Sequence, residues 1–233
     1  MTTRPSVDIP KHIGYIIDGN RRWAKKHGIP AYEGHLAGYN AIHDIAKMSF
    51  NAGVEYVSVY IFSTENWKRN ENEVKKLMGL VLRLLKSDLH IFQENNIKLL
   101  VLGATERVDP KILDAIADAE TQTANNTGGT MAICFNYGGQ LEIVDAVKKI
   151  VQSQIAIGDI TPELIEQNLY APEVPPLDIV VRTGGDQRIS NFMLWRSAYS
   201  EFLFLDKLWP DMTKDDVTDI LNEYNKRHRR FGG

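Results

Sequence analysis

Three short stretches carry the residue types that phosphate chemistry needs. The first is Asp18-Gly19-Asn20-Arg21-Arg22-Trp23, with Glu33-Gly34-His35 following. A strand that feeds a helix through a glycine turn places backbone N–H groups at the helix N-terminus, a ready anion site. Arg21 and Arg22 add guanidinium groups that hold phosphate oxygens bidentately. Asp18 stands where a hard cation shared with a phosphate would sit. The second stretch is Phe62-Ser63-Thr64-Glu65-Asn66-Trp67-Lys68-Arg69, in which Asn66 is placed to orient a proton or a diphosphate. The third, Arg182-Thr183-Gly184-Gly185-Asp186-Gln187-Arg188-Ile189-Ser190-Asn191-Phe192, again sets two arginines around a glycine pair. Two basic glycine turns suggest two anionic ends to be held. Each piece also has a plainer reading: a solvated basic turn, a helix-capping histidine, a polar loop with a Trp anchor. Glu201 opens an apolar run and is either a solvated edge residue or a second metal ligand.

The elements that must position these residues alternate. Apolar runs predict strands over Ile13–Asp18, Tyr56–Phe62, Ile97–Leu102, Thr130–Phe135, Ile179–Arg182 and Glu201–Leu205. Helical periods cover His35–Asn51, Asn72–Glu94, Asp109–Asn125, Gly139–Ile155, Pro162–Asn168 and Lys214–Arg229, and a shorter one starts at Trp23. Such alternation predicts an α/β fold, a parallel sheet of about six strands with helices on both faces. In such sheets ligands bind beyond the carboxyl ends of the strands, where Asp18, Ser63 to Arg69 and Arg182 to Ser190 all fall. No repeat or linker divides the chain. The expectation is a polar arm over residues 1–11 and one domain over 12–233.

Composition narrows the class. The 233 residues are 43% hydrophobic and 24% charged, enough for a sizeable core. A net charge of −3 gives no case for nucleic acid; an anionic substrate needs locally clustered arginines. Cys134, the single cysteine, sits in an apolar run and reads as a core filler. One cysteine builds no intrachain disulfide, which fits a reducing compartment. No apolar run is long enough to span a bilayer. The expected location is cytoplasmic, with contact at a membrane surface left open.

The blocks DGNRRWA, GHLAG, FSTENWKR, RTGGDQRISNFMLW, AYSEF and the terminal RRFGG, in this order, resemble the cis-prenyltransferase (Z-isoprenyl diphosphate synthase) family. The resemblance runs from about His12 to the last residue. It implies a Mg2+-dependent transferase that condenses isopentenyl diphosphate onto an allylic diphosphate, such as farnesyl or geranylgeranyl diphosphate, leaving a cis double bond. It also implies roles. Asp18 would chelate Mg2+ and Glu201 would complete the metal site. Gly19, Asn20, Arg21, Arg22 and Trp23 would cradle the allylic diphosphate, with His35 and Arg69 nearby. Asn66 would accept the proton, with Ser63, Thr64, Glu65 and Trp67 lining the site. Arg182, Arg188, Ile189 and Ser190 would hold isopentenyl diphosphate. Arg230, Phe231 and Gly232 would reach the partner's site in a homodimer. The product tail needs an apolar tunnel, walled by Val74 to Phe92 and facing strands, and Ile61 would narrow it. On periodicity alone, the stripe Leu77, Leu80, Val81, Leu84 and Leu85 is core packing.

Two positions depart from many bacterial members: Ala31 replaces an arginine, and Gln187 a histidine near the metal. A non-catalytic scaffold subunit is the alternative reading, weakened because Asp18 and the strand-end arginines are present. A nucleotide-binding protein is disfavoured because no GxGxxG or Walker-type loop follows the first strand. The string Asp215-Asp216-Val217-Thr218-Asp219 mimics a DDxxD metal motif but reads as a capped first helical turn after Thr213.

Overall fold

The computed structural model describes residues 8–227. Six strands build one sheet: β1 (His12–Ile16), β2 (Tyr56–Ser63), β3 (Lys98–Leu102), β4 (Thr130–Tyr137), β5 (Ile179–Arg182) and β6 (Glu201–Phe204). Every neighbouring pair is parallel, in the order β3-β4-β2-β1-β5-β6. Strands covered on both faces read as unbroken apolar runs, and β1 and β5 are buried along their whole length. The edge strand β6 is only half-buried.

The helices are α1 (Asn20–Lys26), α2 (Ala31–Asn51), α3 (Glu71–Leu82), α4 (Leu89–Glu94), α5 (Pro110–Thr123), α6 (Gly139–Gln152), α7 (Pro162–Asn168) and α8 (Lys214–Lys226). On one face α2, α3, α5 and α8 bury Ile42, Val81, Ile112 and Val217 among the strand residues Val57, Leu99, Met131 and Ile179. On the other, Ala132, Cys134 and Val180 pack with Val174, Leu177, Phe192 and Met193 from irregular segments. Here α6 is tied down by a buried ion pair, in which Arg196 Nη1 donates to Glu142 Oε1 at 2.6 Å. Arg196 also donates to the Tyr170 carbonyl at 2.6 Å, so its charge is not left unmet.

Three local features differ from the sequence expectations. First, β1 stops at Ile16 and α1 starts at Asn20, before Trp23. Gly19 takes a left-handed φ of 114°, open to glycine at little cost, and turns the chain directly after Asp18. Second, the helix expected over Asn72–Glu94 is broken by a π turn at Arg83–Ser87. The Asp88 N–H donates to the Arg83 carbonyl at 3.0 Å, five residues back. This slip aims Asp88 at α2, where the Tyr39 hydroxyl donates to it. Third, the register between β2 and β4 shifts around Ile61 and Phe62, a bulge of the kind common beside functional sites.

One buried group gives the fold a pH dependence. His12 is wholly buried; its Nδ1–H donates to the Pro175 carbonyl at 2.8 Å and its Nε2 accepts from Ser58 Oγ at 2.7 Å. Burial pushes its pKa from 6.5 down to about 4. The unfolded chain therefore binds a proton that the native state refuses, so stability is complete above pH 6.5 and drains as pH falls toward 4. Between pH 7.5 and 5 His12 alone should remove about 2 kcal/mol. His35 and His43, also held down by burial, act in the same direction. Urea unfolding of wild type and His12→Asn at both pH values checks this, since only the difference between their slopes belongs to His12. Equal slopes would contradict it.

Candidate active site

The carboxyl ends of β1, β2 and β5 open into a cleft of about 1170 Å³. Six cationic side chains line it (Arg21, Arg22, Lys25, Arg69, Arg182 and Arg188) against three carboxylates (Asp18, Glu65 and Asp186). The chain is net negative, so this local excess is what would draw an anion.

Asp18 is the centre of the arrangement. Arg182 Nη2 donates to its Oδ2 at 2.9 Å, and Arg22 Nη2 stands 3.1 Å from Oδ1. Its main-chain carbonyl accepts from Thr183 Oγ1 at 2.7 Å and from the Trp209 N–H at 3.1 Å, which fixes the turn to the neighbouring loops. Burial raises the Asp18 pKa, but the Arg182 hydrogen bond and the nearby Arg22 charge outweigh it and hold the carboxyl below its usual range. Asp186 mirrors Asp18 across the guanidinium groups. Its Oδ2 accepts from Arg188 Nη2 at 2.8 Å and Arg182 Nη2 at 3.4 Å, and lies 4.0 Å from Arg22. Arg182 itself is almost fully buried, and its Nη1 donates to Ser190 Oγ at 2.7 Å.

The wall opposite is built by α2 and α3. His35 Nε2 stands 3.3 Å from Glu73 Oε1, and Arg69 Nη1 donates to the same oxygen at 3.1 Å. The His35 contact lacks hydrogen-bond geometry, so Nε2 is a buried polar atom without a partner, as are Asn20 Oδ1 and Arg182 Nε. Burial holds His35 below its ordinary pKa despite the Glu73 charge. All three residues line the cleft, and His43 Nε2, away from it, is the fourth such atom among the described residues. No side chain caps the N-terminus of α1 either, and its first turn carries no acid.

The turn after β2 is a short 3-10 helix, Thr64–Lys68. Asn66 Oδ1 accepts from the Ser63 N–H at 3.2 Å, which locks that amide at the cleft. Beside the cleft lies a cavity of about 60 Å³, sharing Ile17, Asn20, His35, Ile61 and Leu77 with it. Tyr39, Ile42, Phe62, Leu80, Val81 and Leu84 complete its wall. Part of the stripe that periodicity assigns to core packing thus faces open space.

The structure brings together Asp18, Gly19, Asn20, Arg21, Arg22, His35, Ser63, Glu65, Asn66, Arg69, Arg182, Arg188 and Ser190 in this cleft. Other expected residues stand elsewhere. Trp23 donates its indole N–H to Asp211 Oδ1 at 2.7 Å and stacks on His27. Trp67 donates to Asn136 Oδ1 at 2.7 Å beneath Arg107, so it anchors the turn from behind. Thr64 lies near Gly138, and Ile189 packs on the second core. Glu201 does not join Asp18 within one chain. It opens β6 in register with Ile179, which pairs with Ile13, at the amino end of the sheet, and accepts from Arg227 Nη1 at 2.9 Å. Within one chain Glu201 therefore lies at the end of the sheet opposite Asp18. Arg230, Phe231 and Gly232 lie outside the described residues. Asp186 and Asn191, which line the cleft, fall inside the third stretch without a role of their own, and Glu73, which holds Arg69, falls outside all three; the place of Asp186 among the arginines is the signal that could have singled it out.

The backbone matches that of lavandulyl diphosphate synthase from Lavandula x intermedia, crystallised with dimethylallyl diphosphate, with a TM-score of 0.92 and 33% identity over 97% of this chain and 99% of that one. A fold shared this closely, with this cleft at its strand ends, makes the chain a prenyltransferase. It belongs to the undecaprenyl diphosphate synthase family, whose model matches residues 16–232. Among its relatives are two proteins named isoprenyl transferase. The one from Thermotoga maritima is 42% identical over 97% of both chains. The one from Neisseria meningitidis serogroup B is 44% identical over 96% of this chain and 90% of its own.

Proposed function

We propose that the protein condenses isopentenyl diphosphate with an allylic diphosphate, such as farnesyl or geranylgeranyl diphosphate, and leaves a cis double bond in the lengthened chain. One observation carries this reading: two arginine-bearing turns, from β1 and β5, meet at Asp18 in a cleft that borders an apolar cavity. Two charged heads and one greasy tail fit that arrangement. Gly19, Asn20, Arg21 and Arg22, with His35 and Arg69 nearby, take the allylic diphosphate. Arg182, Arg188 and Ser190 take isopentenyl diphosphate.

In the reaction the allylic C–O bond breaks, the alkene of isopentenyl diphosphate forms the new C–C bond, and a proton leaves the adjacent carbon. Fixed guanidinium groups stabilise the charge that grows on the departing diphosphate without reorganising. Holding the alkene against the allylic carbon supplies much of the remaining acceleration. Asn66, pinned by the Ser63 N–H, orients the proton as it is lost.

Mg2+ fits the donor set. Asp18 supplies an ionised, hard oxygen ligand at the cleft, and Mg2+ is commonly held by one carboxylate together with substrate phosphate oxygens. Once bound, it would neutralise charge on the leaving diphosphate. Among the described residues no group of three metal-ligating acids, histidines or cysteines exists, so the substrate must complete the shell. A metal site that includes Glu201 has to be built across a homodimer, which we propose as the working assembly. Among the described residues no helix is long and apolar enough to cross a membrane. A cytoplasmic enzyme that meets the membrane surface through its product is the reading we favour.

The test is incubation with farnesyl diphosphate, labelled isopentenyl diphosphate and Mg2+. We expect label in an extended, apolar product, and loss of that product when EDTA strips the metal. No extension from farnesyl, shorter or longer primers overturns the proposal, and extension that survives EDTA overturns the metal role.

A further inference from the structure

Asn191 is joined to three strand ends at once. Its Nδ2 donates to Glu65 Oε1 at 3.2 Å, after β2. Its Oδ1 accepts from the Gln140 N–H at 2.9 Å and its carbonyl from the Gly139 N–H at 2.7 Å, both after β4. Its own backbone lies in the segment that leaves β5 and carries Arg188 and Ser190. The residue adopts a left-handed φ of 65°, and Ser190 beside it 49°. Asparagine visits such angles readily, whereas Ser190 holds its own only where its surroundings fix it. The junction is tight: a Cβ on Gly138 would come within 2.9 Å of both Asn191 Nδ2 and Thr64 Oγ1. Glu65 sits in the same 3-10 turn as Asn66, and its own backbone N–H, with the Ser63, Asn191 and Thr64 side chains, outweighs burial and holds its carboxyl below the usual range.

We propose that Asn191 is a positioning residue that clasps the Ser63–Asn66 turn to the Arg182–Ser190 turn, fixing the group that orients the proton relative to the groups that hold isopentenyl diphosphate. This rests on the prenyltransferase reading of the cleft. Asn191 lines the cleft, but its amide is spent on Glu65 and Gln140, so its contribution runs through the two turns. An amide is required because one end must donate to a carboxylate while the other accepts from a backbone N–H.

A donor-swap cycle tests it in the full-length enzyme. Asn191→Asp keeps the acceptor for Gln140 and tolerates the left-handed backbone, but faces Glu65 with a second carboxylate. Glu65→Gln restores a donor on the other side. We expect Asn191→Asp to lower kcat about tenfold while KM for the allylic diphosphate moves less than about threefold. The double variant should regain most of the loss relative to Glu65→Gln alone. Thermal unfolding of the same four proteins reports the clasp separately from turnover. Losses that simply multiply overturn the inference. So does coupling that shows in thermal stability but not in kcat, which would make the clasp a purely structural bond. Wild-type enzyme that condenses nothing instead overturns the functional reading itself, and is recognised before any variant is made.

Discussion

Asp18→Asn is expected to cut turnover about a thousandfold, the scale of losing one preorganised charge-stabilising element, with the fold intact. Asparagine keeps the shape of the side chain and can still accept from Arg182. What it loses is the negative charge, and with it the hard ligand for a divalent cation. The buried guanidinium of Arg182 would keep Asp186 at 3.4 Å, Ser190 at 2.7 Å and the Arg188 carbonyl as partners. No charge is stranded, so thermal unfolding should move by only a few degrees. The signature is a fall in kcat joined to a weakened response to added Mg2+. Because Asp18 is held below the usual carboxylate range, the wild-type acid limb attributable to it should begin below the ordinary aspartate pKa. A variant within about tenfold of wild type at saturating Mg2+, where removal of a charged transition-state partner should cost far more, would remove Asp18 from the chemistry.

The same contacts describe the resting state. Arg22, Arg182 and Arg188 are matched against Asp18 and Asp186, so a diphosphate entering the cleft competes with carboxylates already in place. Arg188 and Arg22 are the more exposed members, and Arg182 the buried one. Exposed guanidinium pairs are weakly held. Arg188 is therefore free to turn to a ligand, Arg22 is also tied to the Gly184 carbonyl, and Arg182 serves as the fixed pivot.

How much of this was legible depends on which residues are asked. The sheet was, because buried parallel strands leave unbroken apolar runs such as Ile179–Arg182. The cleft was, because Asp18, Asn66 and Arg188 follow strand ends and parallel topology collects those ends on one side. The position of Glu201 was legible too: the first residue of a parallel strand lies at the opposite end of the sheet from residues that follow strands. The π turn was not, since a five-residue slip at Arg83–Ser87 leaves the apolar spacing of Leu80, Leu84 and Leu85 looking helical. Nor was the direction of Trp67. Periodicity gives no hint that a bulged Asn136, at φ 47°, would take its indole N–H.

That π turn bears on product length. The apolar cavity beside the cleft measures about 60 Å³, room for about four to six water-sized spheres at about 10–15 Å³ each. Tyr39 lines it from α2 as a residue only 5% exposed, and the π turn presents Asp88 to the Tyr39 hydroxyl with the Arg83 guanidinium 5.4 Å from the ring. Tyr39→Ala should open the wall and shift the main product longer by about one or two five-carbon units, because a core partly keeps the space a deleted ring leaves. Tyr39→Phe keeps the ring and should leave chain length unchanged, which separates the steric wall from the hydrogen bond to Asp88. Loss of a buried aromatic ring costs about 3–5 kcal/mol, so Tyr39→Leu supplies a milder opening if the alanine variant does not fold. Chromatography of the extended products decides the matter. An unchanged product length in a folded Tyr39→Leu or Tyr39→Ala enzyme would mean that the growing chain leaves the cleft by another route.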